Sequence, residues 1–386
     1  MLQRALLATR LVANQIRGAG LPWVWHRAKR EWLTPTTGLG RSLYSGRMAL
    51  YGRARTRSAK QNPSNFAQVT LFAFYDLGLM PITFDFLWFL VAADGARRRA
   101  GLDSVHVIIV PGPEEGLRRE DVEYEQAVTP AARKARVTDI LVAACPLLPR
   151  LSGFTVASSR EQADLLVAAA AIQVFPEHYR TDMPRRSEVR DQLELHRRSG
   201  EDVAVLRATM SDLAVVDRFL AERATGRRVV TITLREYDYM QARNSNLSAW
   251  TEFAEQLDGS KYAVVFVRDT DRCFGPLPPE LARFTTFEAA AVKLGLRMAL
   301  YERAYLNLGV NNGPMGLCWL NANTRYITFK ILTSGAPQTT TEYMRFLGFE
   351  IDRSLPFAKR SQKWVWEDDR AEIIAREFAA MEKILA

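Results

Sequence analysis

Six runs of almost unbroken apolar residues constrain this chain more than anything else in its sequence. They are Val69–Tyr75, Val105–Val110, Val229–Leu234, Tyr262–Val267, Tyr305–Val310 and Arg325–Lys330, all rich in β-branched and aromatic side chains. A strand with one wet face alternates apolar and polar residues. Val69–Tyr75 and Val105–Val110 barely alternate, so they need cover on both faces, which a parallel sheet flanked by helices provides. Helical stretches fall between them: Thr83 or Asp85 caps one running to about Ala100, Asn246 or Ser248 caps one running to Leu257, and Phe287 to Ala304 is largely helical. The pattern is strand–helix–strand, repeated in two series.

A charged stretch, 177–202, separates the series. The chain of 386 residues is long enough for two doubly wound lobes. The divisions expected are a basic amphipathic extension over 1–60, a first lobe over 61–205, a second over 206–365 and a terminal helix over 366–386. Residues 53–65 read as a polar loop. Between the clear elements, 136–144 reads as helix leading into a strand. The stretch 163–174 is a buried element, helix or strand.

Charge is unevenly placed. Residues 1–60 hold twelve Lys/Arg against one acid, Glu31, a net of +11, while the remaining 40 basic and 42 acidic residues leave −2. Read as a helix, 2–16 aligns Leu2, Ala5, Leu6, Val12, Ala13 and Ile16 on one stripe, which Thr9 interrupts. Trp23, Trp25 and Trp32 follow among Arg27, Lys29 and Arg30. Such a segment suits an anionic membrane surface or a packed partner helix. No nucleic-acid motif accompanies the charge, so a nucleic-acid partner is not expected. No apolar stretch reaches the roughly 20 residues of a membrane span, and Arg4, Arg10 and Arg17 interrupt any secretory core. The cysteines (145, 273, 318) and histidines (26, 106, 178, 196) are scattered, which argues against a disulfide framework or a His-based metal centre.

Ligands of open α/β sheets sit beyond the carboxyl ends of the strands. Three ends in the second lobe carry suitable chemistry. Arg235 and Glu236 end the first strand, with Arg243 nearby, and a strand-end Arg can pair with a diphosphate. Arg268-Asp269-Thr270-Asp271 ends the second. Its Asp-x-Asp resembles a divalent-metal motif, but it comes late in the chain, and metal is not expected. Asn311-Asn312-Gly313-Pro314-Met315-Gly316 ends the third. Its glycines permit close backbone approach, and Pro314 suits a first helical turn whose N–H groups attract phosphate.

In this order of features, residues 226–335 resemble the donor-binding lobe of glycosyltransferases with two facing Rossmann-like domains (the GT-B fold), of the fucosyltransferase and heptosyltransferase types. Thr233-Leu234-Arg235-Glu236 stands where the former group has its basic strand-end motif, with Thr233 in place of the expected His. The resemblance implies a nucleotide-sugar donor. It also implies that Arg235 neutralises the departing diphosphate and that Asn311 to Gly316 hold the same phosphates. Asp76, at a first-lobe strand tip, is the candidate general base, and Glu236 competes with it. The reaction expected is metal-independent transfer of a sugar to a glycan or lipid-linked acceptor in envelope polysaccharide synthesis. The setting expected is cytoplasmic, on the inner membrane if residues 1–60 bind lipid. The alternatives are a non-catalytic glycan-binding scaffold and a sugar-nucleotide epimerase on the same fold.

Overall fold

The computed structural model describes residues 69–386 apart from 121, 171 and 172. The expectations for the 1–60 extension and the 53–65 loop lie outside the described residues.

The first lobe contains β1 (Thr70–Asp76), α1 (Asp85–Arg99), β2 (Ser104–Val110), α2 (Val122–Ala127), α3 (Pro130–Arg136), β3 (Leu151–Val156), α4 (Arg160–Ala169), β4 (Val174–Phe175) and α5 (Val189–Ser199). Helix α3 runs on into a π-helical segment, Val137–Val142. The strands form a parallel sheet in the order β3-β2-β1-β4. The second lobe follows with α6 (Met210–Arg223), β5 (Arg228–Thr233), α7 (Leu247–Gln256), β6 (Tyr262–Val267), β7 (Thr285–Thr286), α8 (Glu288–Val292), α9 (Leu294–Arg303), β8 (Leu306–Val310), α10 (Gly316–Trp319), β9 (Tyr326–Phe329), α11 (Thr341–Phe346), β10 (Gln362–Trp364) and α12 (Ala371–Leu385). Its strands are also all parallel, in the order β10-β9-β8-β5-β6-β7. The two-lobed α/β architecture is the one the apolar runs require: every residue of β1, β8 and β9 is buried.

Several boundaries differ in detail. The helix expected over Phe287 to Ala304 is two helices with a break at Lys293, which holds an extended conformation. Asn246 is the cap of α7; its side chain accepts the Ala249 N–H. Helix α1 starts after Phe84 with no side-chain cap.

Helix α1 joins the lobes. Its residues Phe86 to Gly95 are all buried, so it has no wet face over most of its length. One side packs on the first sheet through Phe86 and Phe89, each edge-on to Tyr75 at 4.7 and 5.0 Å. Its core cluster also takes in second-lobe residues, Met298, Tyr301, Met315 and Leu317 among them. After β9 the chain crosses back: Phe349 and Phe357 meet Trp88 of α1 at 6.4 and 6.3 Å, and Arg197 of α5 donates to the Gly348 carbonyl. Part of the 206–365 segment thus packs on the first lobe, where its aromatic residues meet Trp88. The return runs through β10 into α12, which packs on α7 through Phe378 and Phe253 at 5.3 Å.

One buried carboxylate fixes this return. Asp369 accepts from the Asn246 N–H at 2.7 Å and the Trp250 indole at 2.9 Å, with Lys330 at 3.6 Å. Asp369→Ala leaves these groups without an acceptor and Lys330 without its anion. The expected loss is about 3 kcal/mol of stability, read as a lower urea midpoint with an unchanged slope.

Candidate functional site

The second sheet changes direction at its centre. From β5 the chain moves outward through β6 and β7, then crosses to β8 on the other side of β5. Thr233 lies beside Gly309, so the loops leaving β5 and β8 start from adjacent strand ends, and the crevice between them is where a doubly wound sheet binds ligands. The start of α1 faces this crevice from the first lobe. A Cβ built on Gly313 would lie 2.5 Å from Cδ2 of Phe84, and one on Gly316 would lie 3.2 Å from Cδ1 of Leu87.

The loop from Arg235 to Ser245 is organised around the Arg235 guanidinium. Nη1 donates to the Met240 carbonyl at 3.1 Å and to the Asn244 side-chain oxygen; Nη2 donates to the Tyr239 carbonyl at 2.6 Å. Asn244 in turn bonds the backbone of Tyr237 in both directions, at 3.1 and 2.9 Å. Met240 takes a left-handed conformation, with φ 52°, which costs about 1 kcal/mol in a residue with a side chain. Arg235 holds that turn by its carbonyl. Arg243 closes the loop and donates from Nη2 to the Asn311 carbonyl at 3.1 Å, while its buried Nε has no hydrogen-bond partner among the described residues.

The polar partners of both arginines among the described residues are uncharged. Burial, with the neighbouring Arg243 adding to it and Asp269 opposing, lowers the Arg235 pKa to about 10. Burial lowers that of Arg243 too. Both stay cationic at neutral pH; the direction of the shifts marks a site that solvates positive charge poorly and favours an anion.

Glu236 is not the partner of Arg235. It pairs with Arg268, Nη2 to Oε1 at 2.8 Å and Nε to Oε2 at 3.0 Å, because β5 and β6 run side by side and place these ends together. With its carboxylate committed to that pair, Glu236 is poorly placed to act as a base. Asp269 lies next to it, partly buried, its carboxyl pushed up by burial against the opposing pull of Arg297. Among the described residues no group of three or more His, Cys, Asp or Glu is arranged to hold a metal ion.

Several groups of the Asn311 turn are engaged within the protein. Asn312 is buried and accepts the Met315 N–H at 3.1 Å. Pro314 has no N–H, Met315 is buried in the core, and the Gly316 N–H bonds back to the Gly313 carbonyl. The glycines admit Phe84 and Leu87 across the seam between lobes. What the turn offers the site is the Asn311 carbonyl, held by the Asn311 N–H to Phe329 and its side chain to the Ile331 carbonyl.

Asp76 is also placed differently from expectation. It has no exposed surface; Arg160 grips both oxygens at 3.0 and 2.9 Å, the Tyr179 hydroxyl donates at 2.6 Å, and the Gly78 N–H at 2.9 Å. Every lone pair that a base would use is engaged, so Asp76 is a structural anchor.

Sequence reasoning treated Asp85 only as a helix cap. The structure places it exposed at the first turn of α1, with the Thr83 hydroxyl donating to it at 3.1 Å. Its charge is the largest favourable influence on the Arg243 guanidinium. Its neighbour Phe84 packs on Gly313, two residues from the Asn311 carbonyl that Arg243 bonds, so Asp85 stands on the first-lobe side of the seam near the arginine loop. The signal was available: an acidic residue that starts the helix after the first strand.

No family model matches the sequence, and no curated protein matches it. Solved structures similar to this chain include glycosyltransferases. One is the glycosyl transferase family 9 protein of Veillonella parvula, at 11% identity and a TM-score of 0.46, covering 68% of this chain and 80% of that one. Another is the ADP-heptose LPS heptosyltransferase II of E. coli, at 10% identity and a TM-score of 0.42, covering 81% and 98%. A third is the iron-containing dodecameric glycosyltransferase TibC of enterotoxigenic E. coli, at 14% identity and a TM-score of 0.39, covering 82% and 75%.

The different standing of the two first-lobe aspartates is open to measurement. Asp76→Ala leaves Arg160 and Tyr179 facing an emptied site and should cost about 3 kcal/mol or more. Asp85→Asn should change stability by no more than about 0.5 kcal/mol, as for an exposed position. Parallel urea titrations read both.

Proposed function

We propose that this protein transfers a glycosyl group from a nucleotide-sugar donor to a hydroxyl of a glycan or lipid-linked acceptor. The observation that carries the reading is Arg243. It is a half-buried cation at the carboxyl ends of β5 and β8, with a buried Nε that no described group accepts from, and the start of α1 with the exposed Asp85 meets the same turn.

In the reaction the bond from the sugar's anomeric carbon to the diphosphate oxygen breaks as the acceptor oxygen bonds that carbon. Negative charge gathers on the diphosphate. Arg243 meets it directly, and Arg235, fixed behind in the same loop, adds a second positive charge at little reorganisation cost. Asp85 takes the proton of the acceptor hydroxyl from the other side of the crevice. This division of labour places charge neutralisation on guanidinium groups, so the transfer proceeds without a divalent ion. An epimerase on this fold would draw on histidine, and the described histidines are engaged elsewhere: His106 with Thr155, His178 with Glu177 and His196 with the Glu201 carbonyl. Residues 1–60, with their net charge of +11, would hold the enzyme on an anionic inner-membrane face.

Two variants test the assignment. Arg243→Ala should abolish the rise in unfolding temperature that nucleoside diphosphates give the wild type. Asp85→Asn should keep that rise and lose about 100-fold or more in kcat. Retained ligand stabilisation in Arg243→Ala would contradict the diphosphate role, and full activity in Asp85→Asn would remove the base. A chelator added to the wild type should leave the transfer rate unchanged. Stabilisation by a diphosphate without turnover of any nucleotide sugar would favour the binding scaffold instead.

A further inference from the structure

The arginine loop belongs to the second lobe, yet two of its tyrosines are held by the first. Arg136, the last residue of α3, donates from Nη2 to the Tyr237 hydroxyl at 2.8 Å and lies over the same ring at 5.5 Å. Its Nη1 donates to the Tyr124 hydroxyl of α2 at 3.1 Å. Both polar partners of this half-buried guanidinium among the described residues are phenols. Tyr124 in turn meets Tyr239 edge-on at 5.4 Å. Both contacted loop residues bear on Arg235: Tyr239 through its carbonyl, Tyr237 through Asn244, which accepts from the Arg235 guanidinium and from the Tyr237 N–H. The Arg235 guanidinium also lies over the Tyr237 ring at 5.6 Å, so that ring is flanked by one arginine from each lobe.

We infer that Arg136 is a positioning residue for the donor site, acting through Tyr237 to hold the loop that carries Arg235 and Arg243. The diphosphate site is then assembled from both lobes although only the second supplies the groups that touch phosphate. The physical need is clear. The loop brings two cations together and includes a left-handed Met240, both of which favour its opening. Bonds within the loop oppose this, and the contacts from α2 and α3 add restraint that does not depend on ligand. The first lobe gives Arg136 a firm base, because the chain continues directly into the π-helical segment with Val137 and Ile140 packed on the main core.

The inference rests on the donor reading, and one set of titrations separates the two. Nucleoside diphosphates (those of adenosine, cytidine, guanosine and uridine) and the matching free nucleosides are titrated calorimetrically into wild type, Arg136→Ala, Tyr237→Phe, the double variant and Arg243→Ala. The tightest diphosphate of the four serves as the probe. Arg136→Ala and Tyr237→Phe should each weaken it about tenfold, as for loss of one hydrogen bond to a charged group. The double variant should lose no more than the singles, because both remove the same contact. Affinity for the free nucleoside should stay unchanged, which general disruption of the fold would not allow. If Arg136→Ala fails to fold, Tyr237→Phe, which removes a single oxygen, decides alone. Full diphosphate affinity in Tyr237→Phe while Arg243→Ala loses binding would overturn the positioning role. Full affinity in Arg243→Ala would overturn the donor reading beneath it.

Discussion

Two guanidinium groups confined to one loop repel each other, and neither is paired with the loop's own carboxylates, Glu236 and Asp238. Much of the site follows from that one unfavourable arrangement. Carbonyls of Met240, Tyr239 and Asn311 and the amide of Asn244 take the guanidinium hydrogens, which satisfies hydrogen bonding without cancelling charge. Of the nearby acids, Glu236 is turned away to Arg268 and Asp238 to Arg272, and Asp269 acts on Arg235 only through its charge. The positive potential therefore survives folding, at some cost in stability, and it survives at the point where a doubly wound sheet opens its crevice.

Helix α1 is what makes the crevice a two-sided site. Its apolar length is buried between the lobes, so the lobes share a core and meet at a defined seam. Its first turn brings Asp85 to the seam near the arginine loop, and Phe84 against Gly313 sets the distance of approach. A cationic loop on one lobe and a carboxylate on the other suit the opposite charges of the proposed transfer, in which the diphosphate gains negative charge as the hydroxyl gives up its proton.

The sheets were legible because burial on both faces leaves its mark in composition alone, as in β1 and β8. Arg235 was legible for the same reason, as a cation ending an apolar run. Its neighbours were not. Glu236 meets Arg268 because β5 and β6 are in register, which no local pattern states. Asp76 meets Arg160 and Tyr179 from 84 and 103 residues away, so a carboxylate that looked poised at a strand tip is fully bonded. Gly313 and Gly316 lie against Phe84 and Leu87 of the first lobe, a contact that no local pattern states. Arg136 carried no signal, since its role depends on a tyrosine 101 residues later.

The central claim is that the crevice selects for phosphate. The most direct measurement is calorimetric titration of the wild-type chain with a nucleoside, its monophosphate and its diphosphate at fixed ionic strength. The account predicts that affinity rises with each phosphate, with the largest step at the diphosphate, and that raised salt erodes the gain. Equal affinity for nucleoside and diphosphate, or no binding of either, would contradict it.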